Sequence, residues 1–112
     1  MATRINDKLV TIRKECRAEI LAILDLNRAM EQPMRASLIE SALRRKPELA
    51  DEVCHQLYYL RSKGYIDIVA EEETPELRPI MSAYILLTGT GQDVAEGTLD
   101  DPGLIYGDAS RA

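Results

Sequence analysis

Two cysteines and one histidine, Cys16, Cys54 and His55, are the residues whose types best suit metal binding or nucleophilic chemistry. Their spacing serves neither purpose. His55 directly follows Cys54, and neighbours on a helix point about 100° apart, whereas a structural zinc needs several converging ligands. Cys16 and Cys54 lie far apart within helical patterns, so free structural thiols in a reducing compartment are expected rather than a disulfide. The sequence has no Gly-rich phosphate loop, no nucleophile elbow and no second histidine for a triad variant. Carboxylates are numerous, but they are scattered or gathered in one acidic stretch without a placed partner. A binding protein is expected, not an enzyme, with no metal and no cofactor.

The elements that would position a binding surface follow from composition and periodicity. At 112 residues, 46% hydrophobic and 29% charged, the chain suits one soluble globular domain. No apolar run approaches the roughly 20 residues of a membrane-spanning helix. The first residues lack the apolar segment and cleavage site of a secretory signal, which makes a cytosolic location the expectation. The net charge of −5 stands against nucleic-acid binding, which draws on Lys and Arg to neutralise phosphates. The distribution of charge therefore matters more than its sum.

Leu9, Ile12, Cys16, Ile20, Ile23 and Leu24 recur at spacings of three and four, the stripe of an amphipathic helix capped by Asn6 or Asp7. Pro33 pushes Gln32 out of helix and predicts a short extended piece near Met34. Ser37-Leu38-Ile39-Glu40 matches a capping box that opens a second helix, with Leu38 and Ala42 toward the core, joined by Ile39 and Leu43. Arg44, Arg45 and Lys46 suit its C-terminal end, and Pro47 stops it. A third helix is predicted from about Leu49 to Lys63, burying Leu49, Val53, Leu57 and Leu60 and ending at Gly64. Its opposite face carries Asp51, His55, Tyr58 and Ser62, with Glu52 and Tyr59 to one side. The period then changes to two, giving strands over Tyr65 to Val69 and Met81 to Leu87 around an acidic loop. Thr88 can cap a short helix through Val94 and Ala95 that ends at Gly97. Residues 98–112 read as an extended or disordered tail.

This order of elements resembles a winged helix-turn-helix domain. Val53-x-x-x-Leu57-x-x-Leu60-x-x-x-Gly64-Tyr65-Ile66 is similar to the end of the recognition helix and the start of the wing in ArsR-like and MarR-like regulators. Leu86-Leu87-Thr88-x-x-Gly91 resembles the segment with which many winged-helix sequences leave the last wing strand. A narrower likeness, through Leu87-Thr88-x-x-Gly91-x-Asp93-Val94-Ala95-x-Gly97 and then Pro102-Gly103, is to small winged-helix proteins of Mu-like phages and prophages. The resemblance implies an α+β, mainly α fold: a three-helix core, a β-hairpin wing and a short C-terminal helix within residues 1–97.

It also implies a regulator or a DNA-packaging or assembly accessory in the bacterial cytoplasm, with duplex DNA as partner and homodimerisation open. The implied DNA-contact set is Arg35, Ser37, Arg44, Arg45 and Lys46 around the second helix, His55, Gln56, Tyr58 and Tyr59 on the third, and Arg78 in the wing. Glu48, Asp51 and Glu52, with Glu71, Glu72, Glu73 and Glu76 in the wing, would face phosphates and repel them. The alternative is a protein-interaction adaptor of the same fold with reduced or no DNA binding. Metal-sensing ArsR-like members use paired cysteines in the recognition helix, where this chain has Cys54 alone.

Overall fold

The computed structural model describes residues 7–28, 34–69 and 79–104. Asn6, the acidic loop expected to form the wing, with Glu71, Glu72, Glu73, Glu76 and Arg78, and the last eight positions of the expected tail, 105–112, lie outside the described residues. The architecture is α+β and mainly helical, with a small three-stranded antiparallel sheet. Among the described residues no helix is long and apolar enough to cross a membrane.

Helix α1 (Asp7–Arg28) is the hub, packing against three later helices and the central strand of the sheet; of its expected stripe Cys16, Ile20 and Leu24 are buried, together with Ala18 and Leu21, while Leu9, Ile12 and Ile23 are half-buried. Strand β1 (Met34–Arg35) is the expected extended piece after Pro33, and it pairs with β3 (Tyr84–Leu87). Strand β2 (Ile66–Val69) pairs with the other edge of β3, which gives the order β1-β3-β2. Ile66 and Ile85 face inward and join Ile39, Leu49, Val53, Leu57, Leu60 and Val94 in one core.

Helix α2 (Ala36–Ala42) begins before the expected serine cap. Arg35 is its N-cap in extended backbone, with no side-chain capping bond, because β1 runs straight into the helix. Ala36 N–H is satisfied by the Ala83 carbonyl across the sheet at 3.0 Å, so a capping box at Ser37 has no role. The buried face shifts with the start: Ala36, Ile39 and Leu43 are buried, whereas Leu38 is 54% exposed and Ala42 is exposed.

The single long third helix is divided. Pro47 stops α2's continuation but also opens α3 (Pro47–Ala50) as its first residue, a position where the missing N–H costs nothing. A tightened turn at Asp51 and Glu52, with Glu52 N–H bonded to the Leu49 carbonyl at 3.0 Å, precedes α4 (Val53–Ser62). Leu49, Val53, Leu57 and Leu60 are buried as expected, and Gly64 ends the segment at φ +81°. The second hairpin strand is shorter than Met81 to Leu87, since Pro79–Ser82 forms a 3-10 turn and Cys54 Sγ meets Met81 Sδ at 3.2 Å.

Helix α5 (Gly89–Ala95) starts at a double junction. Thr88 Oγ1 accepts from Gly91 N–H at 3.0 Å and donates to the Gly64 carbonyl at 2.6 Å, tying the α5 start to the α4 stop. A Cβ on Gly91 would stand 2.0 Å from the Tyr65 carbonyl oxygen, so only glycine lets α5 approach that backbone. The folded body also continues past Gly97. Residues 98–104 return to it, with Leu104 only 6% exposed in the core cluster, which corrects the tail boundary expected at Thr98.

Candidate nucleic-acid interface

The candidate surface has two parts, the turn between α2 and α3 and the outer side of α4. Arg44, Arg45 and Lys46 are all exposed on that turn. Arg44 lies 3.8 Å from Glu40 and Lys46 lies 4.0 Å from Glu19, both solvent-exposed pairs of small energetic weight. These cations can be drawn to phosphates at little loss. The exposed side of α4 carries His55, Tyr58, Arg61 and Ser62, and Ser37 is exposed on α2.

Other expected contact residues are engaged inside the protein. Gln56 is 4% exposed; it donates to Glu52 Oε1 at 2.9 Å and accepts from Arg17 Nε at 2.7 Å. It cannot reach a duplex without breaking both bonds. Tyr59 is half-buried beneath the Arg17 guanidinium, 3.6 Å from its ring centroid. Arg35 stacks over Tyr84 at 4.6 Å and donates to the Ser82 carbonyl and the Tyr84 hydroxyl, both at 2.9 Å, bolting β1 to β3. All three expected contact positions therefore hold elements of the protein together, Gln56 from within the core and Arg35 and Tyr59 from half-buried sites. Arg78 lies outside the described residues.

Arg17 is the centre of a clamp that sequence reasoning missed. From α1 it holds Gln56 and Tyr59 of α4, and its Nη1 donates to the Gly103 carbonyl at 3.0 Å. The Tyr65 hydroxyl donates to Asp101 Oδ2, and Gly103 N–H donates to Asp101 Oδ1 at 2.6 Å. The Tyr65 hydrogen bond, aided by Gly103 N–H, holds the Asp101 carboxyl below the usual carboxylate range. Arg13 meets Glu52 at 3.4 Å, so Glu52, expected to repel phosphates, is turned toward α1. Glu48 and Asp51 remain exposed.

Behind the clamp, Cys16 donates to the Leu49 carbonyl at 3.4 Å. Burial, reinforced by the nearby Glu52 charge, pushes its thiol up to about 12. Cys16 is thus a neutral core group. Both cysteines are free, and Cys54 is half-buried.

Arg61 was readable in principle, being three residues after Tyr58 on an exposed helical face. The Arg17 clamp was not, since its partners are 39 and 86 residues away in sequence. Compared with family models, curated proteins and solved structures, the chain matches none of them.

Proposed function

We propose that the chain is a winged-helix module that binds duplex DNA, with α4 entering the major groove and the β2–β3 hairpin serving as the wing. The observation that carries this proposal is a division of α4 into two sides. The clamp draws Glu52, Gln56 and Tyr59 inward, and the outward side keeps His55, Tyr58, Arg61 and Ser62 exposed, while Arg44, Arg45 and Lys46 are exposed on the turn after α2. At 1.5 Å per residue, a helix of this length spans about 15 Å, compatible with a groove about 12 Å wide. The sequence resemblance adds the setting: a phage- or prophage-encoded regulator or packaging accessory in the bacterial cytoplasm, acting by binding and not by catalysis.

Fluorescence anisotropy of labelled duplexes at about 50 and 200 mM salt tests it. Binding should weaken steeply with salt, and Arg44→Ala or Arg45→Ala should each flatten the log–log slope by about one. Absence of binding at the lower salt, from folded protein, overturns the proposal.

A second reading, a protein adaptor, is favoured by the outer face of the sheet. Val69 and Leu86 are 45% and 41% exposed there, beside Tyr84, on a chain of net charge −5. Under that reading Val69→Ser and Leu86→Ser abolish partner capture while the arginine substitutions leave it intact.

A further inference from the structure

Most arginines in the described structure point their guanidinium groups at protein acceptors. Arg13 meets Glu52, Arg17 meets Gln56 and Gly103, Arg28 meets Asp25 and Glu96, and Arg35 meets Ser82 and Tyr84. Arg61 differs. It is exposed in the last turn of α4, and among the described residues no carboxylate pairs with it. Its contact is instead with an aromatic face, the Tyr58 ring one turn earlier, at 5.1 Å from the guanidinium carbon.

That arrangement has a chemical meaning on a surface that enters a groove. A guanidinium held over a ring by cation–π attraction loses part of its rotamer freedom while its N–H edge stays open. The fork of donors matches the N7 and O6 acceptors that guanine presents in the major groove, a pair that no other base edge offers. From His55 to Ser62 the outward row spans about 10 Å, or roughly three base-pair steps. We propose that Arg61, held in place by Tyr58, is the residue with which this protein selects a guanine at one end of that short segment. The proposal rests on the DNA-binding reading above and adds to it a base identity and the side chain responsible.

The full chain would first be used to select duplexes from a random pool at about 50 mM salt. Each guanine of the selected duplex is then replaced in turn by 7-deazaguanine, which substitutes C–H for the N7 acceptor. At one position the wild-type protein should lose roughly 10-fold in affinity. Arg61→Ala should bind the parent duplex more weakly and be indifferent to the replacement, and Arg61→Lys, a point donor without the planar fork, should bind more weakly with a reduced penalty. Tyr58→Phe should retain the guanine dependence, and Tyr58→Ala should reduce it. Arg61 and Tyr58 are exposed, so thermal melts of the variants should match wild type.

Persistence of the 7-deazaguanine penalty in Arg61→Ala overturns the assignment. So does full affinity in Arg61→Lys without guanine dependence, which would make Arg61 a phosphate contact. Duplex binding with no guanine dependence defeats this inference alone. Failure to select any duplex defeats it together with the DNA-binding reading.

Discussion

Replacing Arg17 by alanine removes three contacts at once, and the structure sets the scale of the loss. The guanidinium gives one hydrogen bond to Gln56 at 2.7 Å, one to the Gly103 carbonyl at 3.0 Å, and a stack on Tyr59 at 3.6 Å. A hydrogen bond from a charged donor contributes about 1.5–3 kcal/mol and a cation–π contact about 1 kcal/mol. These values do not add fully, since the three share one side chain and water can reach the half-buried Gly103 carbonyl. Gln56 Oε1, in contrast, loses its partner within a buried residue, which carries the desolvation penalty of an unsatisfied acceptor. A total near 3 kcal/mol is expected, which lowers the Tm of a chain this size by roughly 12 °C. Arg17→Lys keeps charge and stem but not the fork, and should lose about half as much.

Calorimetry measures the total, and amide hydrogen exchange locates it. Gly103 N–H and Leu104 N–H both bond to Asp101, to its side chain and its carbonyl, so these amides should lose protection first in Arg17→Ala. A Tm within about 3 °C of wild type, or unchanged protection at Gly103 and Leu104, would refute the clamp as an organising contact.

Gly91→Ala should destabilise by about 3 kcal/mol or more, because its Cβ would overlap the Tyr65 carbonyl at 2.0 Å; Thr88→Ala, which removes both the cap on Gly91 N–H and the bond to the Gly64 carbonyl, should cost about 1–2 kcal/mol in urea titration. The depressed Asp101 carboxyl stabilises the fold above the ordinary aspartate pKa of about 3.9 and loses that contribution as pH falls through its lower folded value. Melting curves of wild type and Asp101→Asn should therefore differ most near neutrality and converge in acid. In the folded protein, mass spectrometry after brief maleimide treatment at pH 8 should find label at half-buried Cys54 and none at Cys16, whose thiol is held neutral, until denaturant is added.

What the sequence made legible was whatever its local period determines. The α1 stripe, the inward row Leu49, Val53, Leu57 and Leu60, the Thr88 cap and the strand around Ile66 all follow from neighbours within a turn or a pleat. Gln56 was also locally readable. It lies about 40° from Leu60 on the helical wheel, at the edge of the buried sector, and its polar type obscured its position. The start of α2 was not readable from Ser37 and Glu40, because the amide that needed satisfying met Ala83, far along the chain. The same holds for Arg17, whose partners on α4 and in residues 98–104 are joined only by the fold. Leu104 beside Pro102 and Gly103 gave no period at all, and its burial is a tertiary fact.

The net charge of −5 and the proposed DNA face act at different ranges. Several carboxylates are neutralised locally: Glu52 by Arg13, Asp25 and Glu96 by Arg28, while Asp101 receives hydrogen bonds from Tyr65 and Gly103. Arg44, Arg45, Lys46 and Arg61 instead remain exposed. A phosphate in contact with the turn at Arg44, Arg45 and Lys46 lies within one Debye length, about 8–10 Å, of those charges and beyond it for much of the remaining surface. Salt near the physiological level therefore screens the repulsion of the whole chain more strongly than the attraction at contact. An acidic total is then compatible with a basic contact, and its main effect falls on the rate of approach and on nonspecific affinity rather than on whether a docked complex can form.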